Sequence, residues 1–434
     1  MNRRLYTLLL WLLLPVVLLR LLWRGRRQPG YRRHVAERFG FYPKPPPPQA
    51  GEGREEGKTI WLHAVSVGET RAALPLVDAL LARYPDHRLL LTHMTPTGRA
   101  TGEDLFGERV QRVYLPYDYP FAVGRFLRRF RPAVGLLLET ELWPNLIAGC
   151  RRNHIPLLLV NARLSEKSAR RYARVPALSG ESLRGLAAVA AQTEADAERL
   201  AVLGAASPTV VGNLKFDIPP PAGMLERGRE LRRLLGENRP VFLAASTRDG
   251  EEALLLEALA KLPPPPPAGE GNHGFLTVIV PRHPQRFDEV AGLLAKYGFP
   301  FQRRSENRPV PAETRVVLGD SMGEMFAYYA ACDAAFIGGS LLPYGGQNLI
   351  EACAVGVPVL IGPHTFNFTQ ASELAVAAGA ALRVQSAGEL LREAAALLGS
   401  PERRKAMGKA GKAFAGQHQG ATRRIMERLA PFLG

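Results

Sequence analysis

The sequence predicts an α/β protein built from two facing Rossmann-like domains, preceded by a short greasy segment that anchors it to a membrane. Three observations lead there. The chain has 434 residues, too many for one ordinary hydrophobic core and enough for two or three domains. Apolar runs of strand length alternate with amphipathic helical stretches, the pattern of doubly wound parallel sheets. A stiff linker, Lys215 to Gly223 with Pro219, Pro220 and Pro221, then divides that alternation into two series. Apolar residues at 46% and charged residues at 22% are ordinary globular usage, which argues against a disordered chain and against a polytopic membrane protein.

The first element is LYTLLLWLLLPVVLLRLLW, Leu5 to Trp23. At about 1.5 Å per residue it is nearly long enough to cross a hydrocarbon core of about 30 Å. The 56 Lys+Arg exceed the 40 Asp+Glu to give +16, and nine arginines against one acid, Glu37, place +8 of that within residues 1–38. A basic excess wrapped around a greasy segment points to anionic lipid, whereas the body carries no concentrated basic stripe and no nucleic acid is expected as a partner. No small-residue cleavage site follows the segment. Arg24, Arg26, Arg27, Arg32 and Arg33 follow instead, against only Arg3 and Arg4 before it, so the expectation is one uncleaved anchor with the body on the cytoplasmic side. Pro15 and Arg20 suit a spanning or a partly embedded arrangement alike. The three cysteines, Cys150, Cys332 and Cys353, are odd in number and sit among apolar residues, which fits a reducing compartment rather than a disulfide framework.

A Pro-rich break at Pro43 to Pro48 opens the body. Strands are expected at Thr59–Ala64, Leu89–His93, Val110–Pro116, Ala133–Glu139, Ile155–Asn161, Ala187–Thr193 and Thr209–Gly212, with helices such as Arg71–Tyr84 and Ala195–Leu203 between them. The second series runs through VFLAAS from Val241, FLTVIVPRH, RVVLGD, AAFIGGS, VPVLIGP and ALRV. The expected division is residues 1–42 as anchor and basic collar, 43–218 as acceptor domain and 219–434 as donor domain. Pro263 to Pro267 and the AGEGNHG after it read as an exposed, dispensable loop insert. Ligands of such sheets sit outside the carboxyl ends of the strands, so the active site is expected in the cleft between the domains.

Two motif matches fail on context. Gly269, Gly271 and Gly274 fit G-x-G-x-x-G but precede a strand, whereas a dinucleotide fingerprint follows one and opens a helix. Gly57-Lys58-Thr59 resembles the end of a P-loop, but Glu52 stands where its first glycine belongs. The sequence also has no Asp-x-Asp, His-x-x-x-His or Cys-x-x-Cys, so neither a metal nor another cofactor is called for.

Chemistry is expected where strands end. In WLHAVSVGET a strand stops near Ser66 and a helix starts near Thr70, which leaves Glu69 at the turn; a plain helix-capping role is the competing reading. LLLETELWPNL delivers Glu139 and Glu141 to the same edge, and strand alternation would put both carboxylates on one side. For Glu141, an ion pair with Arg163 or Lys167 competes with function. NARLS, from Asn161, and GNLKFD, with Lys215, add polar groups. In the second half Ser246, Thr247 and Arg248 follow one strand, and Arg282 and His283 end the next, a setting for an anion. Gly319 to Met325 reads as the opening of a helix whose free N–H groups would receive a phosphate. Gly338, Gly339, Gly345 and Gly346 lead into a helix carrying Glu351, with glycines for close backbone approach and an acid for ribose hydroxyls.

HAVSVGET, THMTPTGR, YLPYDYP, ETELWPNL, NARLSEKSARRY, GNLKFD, PRHPQRF, GDSMGEM, FIGGSL, GGQNLIEA and GPHTFNF together resemble, in order, the blocks of the bacterial 3-deoxy-D-manno-octulosonic acid (Kdo) transferases of lipopolysaccharide synthesis. The resemblance covers essentially the whole chain. It implies a GT-B fold and an inverting reaction without a required metal: Kdo passes from CMP-Kdo to a membrane-bound lipid A precursor, at the bacterial inner membrane. It further implies that Glu69 is the general base and that Glu139 and Lys215 stabilise the transition state. It places CMP contacts on Pro281 and Arg282, on Met322, Gly323 and Glu324, and on Asn348, Leu349, Ile350 and Glu351. The last block commonly reads Asn-Pro-Leu-Glu and here reads Asn-Leu-Ile-Glu, which puts the contacts at Leu349 and Ile350 in doubt. The alternatives are another GT-B enzyme with a different nucleotide sugar and lipid acceptor, and a membrane-tethered sugar-nucleotide binder without turnover.

Overall fold

The computed structural model describes residues 1–43, 59–262 and 274–433. Most of the Pro-rich break, Gly57 and Lys58 of the rejected P-loop, Gly269 and Gly271, and the insert from Pro263 lie outside the described residues. The chain divides into two compact units, Met1–Ile218 with Gln419–Gly434, and Pro219–His418.

The sheet of the first unit holds β1 (Thr59–His63), β2 (Arg88–His93), β3 (Gln111–Tyr114), β4 (Val134–Leu138), β5 (Leu157–Ala162), β6 (Ala188–Ala191) and β7 (Thr209–Val210). Their order is β3-β2-β1-β4-β5-β6-β7, and every neighbouring pair is parallel. Leucine-rich runs without polar alternation make such strands because helices cover both faces. Ile60, Leu62, Leu89, Leu91, Leu136 and Leu158 bury on one face. Their neighbours Trp61, Leu90, Leu137, Leu157 and Leu159 bury on the other. Gly135 makes room for the Trp61 indole, since a Cβ there would stand 2.6 Å from the ring. The expected helix over Arg71–Tyr84 is two helices, Val67–Ala72 and Leu74–Arg83, because Pro75 suits a helix's first turn and not its interior.

The sheet of the second unit holds β8 (Val241–Thr247), β9 (Leu276–Pro281), β10 (Phe301–Arg303), β11 (Val316–Leu318), β12 (Ala334–Ile337), β13 (Val359–Ile361) and β14 (Ala381–Arg383). It is parallel in the order β10-β11-β9-β8-β12-β13-β14. β10 is not marked in the sequence, being a three-residue edge strand with two polar residues and so no apolar run to announce it. In each sheet the order reverses direction at the first strand, beside β1/β4 and beside β8/β12, and such switch points are where α/β sheets bind ligands.

Residues 219–434 were expected in one domain. The last segment instead belongs to the first unit, where helix Ala421–Leu429 buries Ala421, Ile425 and Leu429 against the cluster on Leu76 and Leu80. Asp217 fastens its start by accepting the N–H groups of Gly420 at 2.7 Å and Thr422 at 2.5 Å.

The expected single anchor helix is also corrected. Residues 3–27 form two helices, Arg3–Leu12 and Leu14–Arg27, bent by 55°. Pro15, in the first turn of the second helix, supplies no N–H to continue the first. No single helix among the described residues is long and apolar enough to cross a membrane. The first helix lies on the folded domain along one face: Arg3 pairs with Glu181 at 3.0 Å, Tyr6 donates to Asp118 at 3.1 Å, and Thr7 donates to Asn145 at 3.0 Å. The Leu10 carbonyl accepts from Tyr119 at 2.9 Å, and Trp11 packs on Tyr119 and Phe121. Leu5, Leu8, Leu12, Leu19, Leu22 and Trp23 stay exposed.

Candidate active site

Glu69 is the third residue of helix Val67–Ala72, which follows β1 after a three-residue loop. Ser66 caps this helix, and the Glu69 carboxylate turns back to accept the Val65 N–H at 2.7 Å and the Ser66 hydroxyl at 3.0 Å. Glu69 thus does take part in a helix-start motif, the competing reading of the sequence. Capping alone would leave an ordinary carboxyl. Here burial, then the nearby Glu139 charge, and to a smaller degree Glu141, outweigh those two hydrogen bonds and push the pKa from 4.5 up to about 7. A half-buried carboxyl that is ionised in part at neutral pH is suited to accept a proton.

Glu139 follows β4 at the same switch point. The strand ends at Leu138 and Glu139 adopts a left-handed backbone with φ 60°, so strand alternation does not set its direction, contrary to the sequence argument. A non-glycine residue held there is strained by about 1–3 kcal/mol, and such strain concentrates at functional sites. Glu141 is held by the Trp143 indole N–H at 2.8 Å rather than by Arg163 or Lys167. Burial raises its pKa and the indole bond opposes the shift. Trp143 in turn packs edge-on to the buried His63.

Lys215 lies in the turn Leu214–Asp217 after β7. The loop is fixed by residues whose role the sequence left open. Asn161, itself left-handed at φ 52°, accepts the Leu214 N–H at 3.0 Å. Gln192 donates to the Asn161 carbonyl and accepts from Asn213, both at 3.0 Å, and Asn213 accepts the Lys215 N–H. Glu69 and Glu139 are thus close enough to interact, and Lys215 follows a strand at the same carboxyl edge of the sheet. His93 braces the Glu69 loop through a 2.9 Å bond to the Ala64 carbonyl. Burial lowers its pKa to about 4, so it is neutral and its Nδ1–H donates. Nothing in the local pattern marked His93; only its place at a strand end could have done so.

In the second unit Arg282 directly follows β9. Its N–H donates to the Thr247 carbonyl at 2.9 Å and its Nε to Gln347 at 3.3 Å, while Pro281 ends the strand. Asn348 accepts the Ile350 N–H at 3.1 Å and donates to Glu351 at 3.0 Å, a local clamp at the start of helix Ile350–Val355. Leu349 and Ile350 are buried as whole residues, 1% and 3% exposed.

Two expectations change here. The helix that Gly319–Met325 was expected to open starts only at Met325 and runs to Ala331, so most of that segment is the turn before it. Glu324 faces Arg227 at 3.7 Å and Arg304 at 3.6 Å, while Met322 is exposed and Gly323 makes a left-handed turn at φ 79°. The glycine reading also narrows, because a Cβ on Gly338 would stand 2.5 Å from the Ser246 carbonyl. That glycine brings the loops after β8 and β12 together and is explained by packing.

Residues 33–218 match the family described as 3-deoxy-D-manno-octulosonic-acid transferase (kdotransferase), and residues 253–414 match glycosyl transferases group 1. The 3-deoxy-D-manno-octulosonic acid transferase of Bordetella pertussis is 46% identical over the full length of both chains. That of Haemophilus influenzae is 39% identical over 100% of this chain and 99% of its own. A glycosyltransferase from Rickettsia africae ESF-5 superposes with a TM-score of 0.58 at 15% identity, covering 87% of this chain and 99% of that one, a likeness of fold alone. With identity this high over both halves, and with two parallel sheets of the expected kind, the chain belongs to the Kdo transferases, glycosyltransferases of the GT-B fold that act in lipopolysaccharide biosynthesis.

Proposed function

We propose that the chain transfers Kdo from CMP-Kdo to a hydroxyl of a lipid A precursor, with Glu69 as the general base. The raised pKa of Glu69, beside Glu139 at the switch point of the first sheet, carries this reading. The acceptor oxygen forms a bond to the anomeric carbon of Kdo, its proton passes to Glu69, and the bond from that carbon to the phosphate oxygen breaks as CMP leaves with the electron pair. Attack opposite the leaving group inverts the centre. Lys215 offsets negative charge that develops in the transition state. Glu139 keeps the Glu69 carboxylate basic and, with it, stabilises positive charge at the anomeric carbon. Arg282 and the backbone around Gly323 receive the phosphate, Pro281 and Met322 border the nucleotide, and Asn348 and Glu351 serve the ribose.

The membrane part of the reading rests on the helix pair. Its exposed leucines and Trp23, with Arg24, Arg26 and Arg27 in the last turn of the second helix, suit a helix pair lying in the interface of an anionic bilayer. Each basic residue near such a surface contributes about 1 kcal/mol. These features support the reading of a chain held at the cytoplasmic face of the inner membrane, beside a lipid acceptor.

Mass spectrometry of a lipid A precursor after incubation with the chain and CMP-Kdo tests the reaction. Kdo-bearing product with CMP release is expected. Transfer from a uridine diphosphate sugar instead, or no transfer from either donor, overturns it.

A further inference from the structure

At the switch point of the second sheet, Arg248 follows β8. Its N–H donates to Glu251 Oε2 at 2.9 Å, and the same carboxylate takes the N–H groups of Gly339 at 2.6 Å and Leu341 at 3.0 Å. Glu251 is fully buried, so its charge is committed to locking the Arg248 backbone onto the loop after β12. The Arg248 side chain is half-buried and has two partners, both neutral. Its Nη1 donates to His283 Nε2 at 3.0 Å, and its guanidinium lies 4.8 Å from the centre of the Tyr344 ring. Burial and the charges of Arg248, Arg282 and Arg286 lower the His283 pKa, which keeps the imidazole neutral and its Nε2 an acceptor.

The neighbouring Arg286 makes the contrast. It meets three carboxylates, Glu252 at 2.7 Å, Glu289 at 3.0 Å and Asp249 at 3.4 Å, and is neutralised by the protein itself. Among the described residues no carboxylate oxygen lies within 4.0 Å of the Arg248 guanidinium nitrogens; Glu251 meets only its backbone N–H. A guanidinium held on a locked backbone, at a ligand-binding edge, between neutral groups, is prepared for an anion from outside. Arg282 stands on the adjacent strand exit, next to the same His283.

A CMP-linked ulosonic acid carries two anions on one carbon: the phosphate and the carboxylate are both bonded to the anomeric centre. Two guanidinium groups on adjacent strand exits match that pair. We propose that Arg248 receives the carboxylate of the donor sugar while Arg282 holds the phosphate, so that the site selects an acidic ulosonic sugar over a neutral one. The assignment rests on the CMP-Kdo reading above.

The test compares CMP with CMP-Kdo as ligands of the full chain without acceptor. A charge-assisted bond to a carboxylate is worth about 1.5–3 kcal/mol, so R248Q should raise the CMP-Kdo dissociation constant roughly 10- to 150-fold. The same variant should leave CMP affinity within about twofold, which also shows that it is folded. R248K, without the planar fork, should restore only part of the loss, and R282Q should weaken both ligands. Equal weakening of CMP and CMP-Kdo by R248Q makes Arg248 a phosphate ligand and overturns the proposal, as does no weakening of either. A wild-type chain that binds neither ligand overturns the donor reading itself.

Discussion

Glu69 combines two hydrogen bonds that favour its charge with burial and two carboxylate neighbours that oppose it, and the opposition prevails. A base must be ionised, so the rate should rise with pH through about 7. Glu139→Gln removes the larger of the two neighbouring charges and should move that limb of the pH–rate profile to lower pH; a limb that stays in place would separate Glu139 from the ionisation of Glu69. Linkage has the opposite sign. The folded state holds the Glu69 proton more tightly than the unfolded chain, so this group's contribution to stability is full below pH 4.5 and is lost as pH rises through about 7. Glu69→Gln should therefore raise the melting temperature relative to wild type at pH 8 more than at pH 5. At this scale the sequence pointed to Glu69, Glu139 and Arg282 as candidates, because each follows an apolar run. It named Asn161 only as a polar group after a strand and did not disclose Gln192 and His93; all three fix loops through contacts between residues distant in sequence.

Among the elements, the N-terminal helix pair departs most from what hydropathy suggests. A run of apolar residues reports length and greasiness, but the bend at Pro15 and the polar contacts of Arg3, Tyr6 and Thr7 decide how it lies. Asp118 is central to that docking. It accepts the N–H groups of Asn145 and Leu146 as well as the Tyr6 hydroxyl, and burial raises its pKa to about 7 in spite of them. A helix tied along one face to a folded domain cannot be surrounded by lipid. With Cys150, Cys332 and Cys353 replaced by Ala and a cysteine introduced at Asn2, a membrane-impermeant maleimide added to intact spheroplasts should leave the chain unlabelled and should label it after lysis. Labelling of intact spheroplasts would indicate a spanning segment. The β-strands were legible because parallel strands covered on both faces read as unbroken apolar runs. The three-residue β10 had no such run.

For the molecule as a whole, the proposed chemistry divides between the two units: Glu69, Glu139 and Lys215 belong to the first, and Arg248, Arg282 and the proposed nucleotide contacts to the second. The alternation and the Pro-rich segment after Lys215 disclosed both units. The return of Gln419–Gly434 to the first unit was not legible, since an amphipathic C-terminal helix carries no sign of which domain it packs on. That helix buries Ile425 completely, and Ile425→Ala should cost about 2–5 kcal/mol in the first unit. Denaturant unfolding monitored at the first unit's Trp61 and Trp143 should show that loss; an unchanged midpoint would mean that the helix is only loosely attached.

The central claim is that Glu69 removes the acceptor's proton. Single-turnover transfer from CMP-Kdo to a lipid A precursor by Glu69→Gln, alongside CMP binding by the same variant, tests it most directly. The account predicts a rate about 10²- to 10⁴-fold below wild type with CMP affinity unchanged. Transfer at close to the wild-type rate would contradict it.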